Sequence, residues 1–224
     1  TRHLTVEGIF THFANADEPN FSRAQLQLER FQEVLRFYER SSLPTPLRHA
    51  ANSGAILQLP ESHLDMVRPG VLFYGVSPAQ ELLPLPWPVK QAMRWSTRVV
   101  FFKVVQAGSP VSYGSTWAPQ DWTRVITLPV GYGDGYMRAM SGKAQVLLGG
   151  KRAPVVGRIC MDQIMVDIER GSAWNGDEAV LLGEADGGAI AVEELARWAG
   201  TIPHEILTSI NTRVPRTYVG RAGA

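Results

Sequence analysis

A single cysteine among 224 residues leaves no partner for an internal disulfide, so a disulfide-built scaffold is excluded. Apolar runs stop at about five to seven residues, against the roughly twenty that a bilayer-spanning helix needs. Neither sign of charge dominates: 22 Lys plus Arg face 21 Asp plus Glu, for a net charge of +1. The balance gives no overall basic field for nucleic acid and no acidic solvating tail. No GxxxxGK[ST] loop occurs, and the glycine cluster from Gly131 lacks the strand-then-helix setting of a dinucleotide fingerprint. No second cysteine or histidine lies beside Cys160, so no zinc set is present there. Internal repeats and low-complexity tracts are absent. No basic stretch followed by an apolar one opens the chain, so no secretion signal is read. The chain begins at Thr1 and reads as a strand within a few residues, a start expected of the interior of a larger protein.

What is present is globular composition, 45% hydrophobic and 19% charged, with length for one large domain or two modest ones. The first part alternates strands and helices. Val6–Thr11 reads as a buried strand and ends in a polar cluster, His12 to Asp17. Ser22 is placed to cap a helix, with Gln25 as its capping-box partner. Ala24, Leu28, Phe31, Leu35 and Tyr38 then recur on a 3.6-residue period. Short strands are expected at residues 47–50, 65–68 and 71–74. This tempo is βα architecture with parallel strands. The Pro-rich stretch Leu83–Pro88 reads as a linker, which divides the chain into residues 1–84 and 85–224. Beyond it strand signals dominate, at residues 93–105, 124–129, 144–148, 153–160, 164–168 and 178–182. One helix is expected at residues 191–199, so the second domain is mostly β, a barrel or a sandwich.

In βα folds ligands sit at the carboxyl ends of strands. His12, Asn15 and Asp17 follow the first strand; His49, Asn52 and Ser53 the second; Arg68 and Gly70 the third. Asn52-Ser53-Gly54 and Gly70-Val71 can offer a hydroxyl and backbone donors to one anion. Alone, each of these residues reads equally well as a structural polar group. In the β part, Ser112-Tyr113-Gly114, the loop Gly131–Tyr136 and the strand end Arg158–Gln163 are marked, and Cys160 reads as a small buried residue. The residues by themselves give an anion-binding βα unit joined to a β domain, with no reaction chosen.

Several stretches occur together: THFANAD (11–17), HAANSGA (49–55), MVRPGVLFYG (66–75), VSYG (111–114), LPVGYGDGYMRAMS (128–141), VVGRICMDQIMVD (155–167) and RVPR (213–216). In this order and spacing the chain resembles the alanine racemase family, enzymes that use pyridoxal 5'-phosphate to interconvert L- and D-alanine. The resemblance implies an (α/β)8 barrel of TIM type followed by a mostly β domain, with this chain holding the C-terminal half of the barrel and the whole second domain. It also implies a cytoplasmic homodimer with active sites shared across the interface, acting either in D-alanine biosynthesis for peptidoglycan or in catabolism of alanine.

By the resemblance, Tyr113 is the catalytic base on the L face, delivered by the partner subunit, with His12 and Arg68 as its neighbours. A free tyrosine has a pKa of about 10 and needs help to act near neutrality. Arg68 faces the pyridine nitrogen of the cofactor. Ser53, Asn52 and the amides of Gly70 and Val71 hold the cofactor, and Met161 offers its amide to the substrate carboxylate. Asp17, Tyr132 and Arg138 line the approach, which favours a small amino acid. His204 stands where the family has a phosphate-binding tyrosine, which implies a contact with altered pH dependence. The family's lysine, which forms the Schiff base and serves the opposite face, lies in a stretch that these residues do not contain. Lys90, Lys103, Lys143 and Lys151 all fall at or beyond the linker. The expectation is a chain without racemase activity until an N-terminal segment or companion chain supplies that lysine.

Overall fold

The computed structural model describes residues 3–78 and 89–220. The predicted linker and the boundary at residue 84 lie outside the described residues. Two compact units separate at residues 92 and 93.

The first unit runs β1 (Gly8–Phe10), α1 (Ser22–Arg40), β2 (Leu47–His49) and α2 (Ser53–Gln58). β1 and β2 pair in parallel, with Ile9 opposite Arg48. The period of 3.6 read from α1 is the buried face: Ala24, Leu28, Phe31 and Leu35 are all buried, against Phe13, Ala16, Ala50, Ala55 and Leu59. Ser22 is not the cap. Phe21 occupies that position, and Asn20 Oδ1 takes the Ser22 N–H at 3.2 Å.

Three other expectations are corrected. β1 is largely exposed rather than buried, because β2 is its one sheet neighbour among the described residues. Residues 65–68 contribute only a single parallel bridge, Met66 to His49. Val71–Tyr74 is a 3-10 turn, stopped by Gly75 in the left-handed region (φ 72°). A four-residue apolar run is ambiguous between strand and helical turn until its flanks decide. Here a Cβ on Gly75 would sit 1.9 Å from the Lys90 carbonyl oxygen, so only glycine fits the close approach.

The second unit is mostly β: β3 (Trp95–Arg98), β4 (Phe101–Val105), β5 (Thr123–Leu128), β6 (Gln145–Leu148), β7 (Lys151–Val156), β8 (Ile164–Asp167), β9 (Glu178–Ala185) and β10 (Gly188–Ile190), then α3 (Val192–Ala199) and α4 (Pro203–Ser209). The strand order is β10-β9-β6-β7-β8-β5-β4, and β3 also pairs with β9. The run predicted as one strand at 93–105 is two strands, because the chain changes neighbours at Val99 and Val100. Val99 N–H donates to Asp177 O at 2.9 Å and Val100 N–H to Thr127 O at 3.0 Å. β10 and α4 were not expected. No helix among the described residues is long and apolar enough to cross a membrane.

Glu194 ties α3 to the sheet. Its carboxylate receives Arg152 Nη1 and Nη2, both at 2.8 Å, and accepts from Ala191 N at 3.1 Å. Ala191 has no side-chain acceptor, so only this half of a capping box exists. Arg152 holds the Glu194 carboxyl below its ordinary pKa. A carboxyl lowered in the folded state stabilises above its unfolded pKa, and that contribution is lost as pH falls through the folded value. Thermal unfolding from about pH 7 to about pH 3 should show it: Glu194→Gln loses about 1 kcal/mol at neutral pH and little at the acid end. An equal loss at both ends removes the ion pair from the account.

Candidate active site

In the first unit the polar residues gather at the ends of β1 and β2. Arg68 is the centre. Its Nη1 donates to His49 Nδ1 at 2.6 Å, and its Nη2 donates to Thr11 O at 3.0 Å and Ala50 O at 3.1 Å, with His12 Nδ1 at 3.4 Å. The guanidinium also lies over the Phe10 ring, 5.6 Å from its centroid, and Phe10 stacks on His49. Burial pulls the Arg68 pKa below its ordinary value. The guanidinium stays charged at any physiological pH. Its hydrogen-bond partners among the described residues are carbonyls and imidazoles, with no carboxylate to neutralise it. Among the described residues the Nε–H has no hydrogen-bond partner.

Ser53 is buried at the first position of α2, and Asn52 caps that helix by accepting from Ala55 N at 3.1 Å. Ser53 Oγ accepts from Leu72 N at 3.3 Å, which leaves its own O–H to donate. The Gly70 N–H is engaged by Arg68 O at 3.0 Å, so Gly70 is not a free donor here as the sequence reading expected. Asp17 is exposed on the loop after β1. A Cβ on Gly54 would meet Ala16 O at 2.5 Å, so this loop and α2 pack backbone to backbone.

The second unit holds the rest. Ser112, Tyr113, Cys160, Met161, Asp162 and Gln163 line a cavity of about 440 Å³, so the structure brings Tyr113 and Met161 together. Tyr113 is 71% exposed and Met161 53%. Tyr132 joins this region through its backbone, which donates to Cys160 O at 3.0 Å; Gly133 N–H donates to Met161 O at 2.9 Å. Arg138 is exposed on a 3-10 turn, and its carbonyl accepts from Ser141 Oγ at 2.6 Å. Ser141 Oγ in turn accepts from Ile159 N at 3.0 Å. His204 is exposed in the first turn of α4. Lys103 lies on exposed β4, Lys151 opens β7, and Lys143 donates to Trp198 O at 3.3 Å. Cys160 is half-buried rather than buried.

Arg213, in the RVPR stretch, ties two loops of the second unit together. Its Nε donates to Asp134 Oδ1 at 2.7 Å and its Nη2 to Asp162 Oδ1 at 2.5 Å. Asp134 Oδ2 also accepts from Gly131 N at 2.8 Å. One guanidinium therefore clamps the loop of Tyr132 to the loop of Met161. His49 is the other residue underrated from sequence. Both depend on partners distant along the chain, which no local pattern reveals.

The family model described as "Alanine racemase, C-terminal domain" matches residues 92–218, and "Alanine racemase, N-terminal domain" matches residues 1–78. The matches reach both domains, so the chain is not confined to the C-terminal part that the sequence reading named. A curated alanine racemase of Carboxydothermus hydrogenoformans is 46% identical over 97% of this chain and 60% of its own length. That of Desulforamulus reducens is 44% identical over 97% of this chain and 58% of its own. The solved alanine racemase of Streptomyces coelicolor superposes with a TM-score of 0.91 at 42% identity, covering 96% of this chain and 56% of that one. A racemase of Bartonella henselae, solved with covalently bound pyridoxal phosphate, gives 0.83 at 33%, covering 95% and 56%. The chain thus spans about three fifths of the curated relatives it matches.

Proposed function

We propose, since this chain belongs to the alanine racemase family, that it works in the interconversion of L- and D-alanine with pyridoxal phosphate. The observation that carries the reading is the cavity shared by Tyr113 and Met161, a phenol beside the loop of residues 160–163. The first unit is then the later part of an (α/β)8 barrel, and the second is the family's β domain. The residues present fit the cofactor: Arg68 keeps an unengaged Nε–H for a ring nitrogen, and Ser53 keeps an O–H for a phosphate.

When bound, the cofactor supplies an electron sink that acidifies the alpha proton of an amino acid. The chain's own residues do the rest. Arg68, a permanent cation, would be the donor to the ring nitrogen. Ser53, with Asn52 fixing the start of α2, would hold the phosphate together with the Val71 amide. Tyr113 would take or return the proton on the L face, and the Met161 N–H would donate to the substrate carboxylate; His12, beside Arg68, is the further residue assigned to catalysis. Tyr132 and Arg138 would narrow the approach and favour alanine over larger amino acids. Tyr113 and Met161 serve the site of the partner in a homodimer. The opposite-face lysine is none of Lys90, Lys103, Lys143 and Lys151, and it comes from polypeptide beyond these residues.

The test is turnover of L-alanine by chiral chromatography, with cofactor, for this chain alone and with a polypeptide carrying the lysine-bearing part of a family barrel. The chain alone should be silent and the combination active. Turnover by the chain alone overturns the assignment of the lysine. Silence in the combination, with serine, lysine and arginine also tried, overturns the racemase reading in favour of a cofactor-binding or structural protein. Activity on the larger amino acids would identify a broad-specificity racemase instead.

A further inference from the structure

Tyr113 sits at the tip of a loop closed by Val111 N–H donating to Trp117 O at 3.0 Å. Its side chain is mostly exposed, and among the described residues its hydroxyl has no hydrogen-bond partner. Packing therefore does not aim the phenol, and the backbone on either side must. That backbone is unusual. Ser112 has φ 70° and ψ 176°, a region that glycine alone occupies cheaply. Gly114 (φ 73°) and Ser115 (φ 49°) are also left-handed.

Contacts with residues 157, 158 and 160 hold Ser112 there, the last between Ser112 Oγ and Cys160 Sγ at 3.7 Å. Ser112 Oγ donates to Arg158 O at 2.6 Å. Gly157 lies directly against it: a Cβ at 157 would come 2.7 Å from Ser112 Cβ and 2.7 Å from Val111 O. On the far side of Tyr113 the Arg158 guanidinium fills the space where a side chain on Gly114 would stand, 2.8 Å from that missing Cβ. Arg158 thus meets both neighbours of Tyr113, its carbonyl taking the Ser112 hydroxyl and its guanidinium lying against Gly114, while Gly157 packs on Ser112. A glycine at 112 would adopt this backbone without strain. A serine adopts it with its hydroxyl anchored, and the anchor fixes the direction in which the chain enters Tyr113.

We propose that Ser112 is a positioning residue for Tyr113, a latch that uses its hydroxyl to hold a strained backbone and so sets where the phenol oxygen stands. This rests on Tyr113 being the L-face base. The test uses Ser112→Ala, which keeps the strain and loses the anchor, and Ser112→Gly, which loses both. In the 224-residue chain, amide hydrogen exchange across residues 109–118 should quicken about tenfold or more in both variants, with the peptides of β5 and β9 unchanged. In the lysine-complemented enzyme kcat should fall ~10–100-fold, the scale of a misplaced reacting group, with KM within about threefold. The isotope effect with alpha-deuterated L-alanine should rise, because proton removal by the misplaced phenol becomes limiting, and that with alpha-deuterated D-alanine should not. Unchanged exchange in both variants, or isotope effects that rise equally for both enantiomers, overturns the latch. If the alanine variant fails to fold, the glycine variant decides. A wild-type combination that does not racemise alanine overturns the racemase reading and this inference with it; a racemising wild type with unaltered variants overturns this inference alone.

Discussion

Tyr113→Phe should cut alanine racemisation by the lysine-complemented enzyme ~10²–10⁴-fold, the usual contribution of a positioned acid or base. The loss should appear in kcat, with little change in KM or in thermal stability. The structure gives the reason for that separation. The side chain is 71% exposed and its hydroxyl bonds to nothing among the described residues, so removing one oxygen leaves the second unit's packing untouched. The chemistry should also become one-sided. In deuterated water the variant should still exchange the alpha proton of D-alanine through the opposite base, while exchange into L-alanine collapses. Proton NMR of both enantiomers reads this directly. L-alanine exchange at the wild-type rate would remove Tyr113 from the mechanism.

The second large effect is structural. Gly131→Ala places a Cβ 2.2 Å from Cys160 O and 2.4 Å from Met161 O, both backbone atoms that cannot swing aside. The two loops must part. Parting breaks the bonds from Tyr132 N to Cys160 O and from Gly133 N to Met161 O, and it pulls Asp134 away from the Gly131 amide. The expected cost is ~2–4 kcal/mol, the range for overpacking plus lost buried bonds. Gly142→Ala is the control, since its φ of 69° is unfavourable for alanine but nothing lies within 4 Å. It should cost only about 1 kcal/mol. Urea unfolding separates the two, and equal midpoints would show that the loop contact carries no weight. Because Met161 lies in the displaced loop, ligand affinity at the Tyr113 cavity should fall with the first variant and hold with the second.

Much of the molecule was legible before any coordinates. The apolar spacing in α1 depends only on 3.6 residues per turn, and Ala24, Leu28, Phe31 and Leu35 are buried as that spacing requires. Gly200, read as a stop, ends α3 in the left-handed region at φ 75°. The cluster around His12, Ser53 and Arg68 could be located because βα units carry their polar groups at strand ends. The failures share one cause. Val71–Tyr74 and residues 65–68 are four-residue segments whose conformation is set by what packs on them, so a pattern that short could not choose. Asn20 displaced the expected Ser22 cap through a side-chain bond that competes locally with it.

Composition, periodicity and motif spacing therefore determined the division into an α/β part and a β part, the core face of the main helix, and the family whose residues these are. Those properties are carried by near neighbours along the chain or by residue identity itself. The tertiary structure alone decided how the candidate residues are held. Arg68 meets His49 across 19 residues, Arg213 meets Asp162 across 51, and Ser112 reaches the Arg158 carbonyl across 46. Hydrogen bonds and backbone angles of that kind arise only when distant segments close on each other, because their geometry belongs to the packed pair and to neither segment alone.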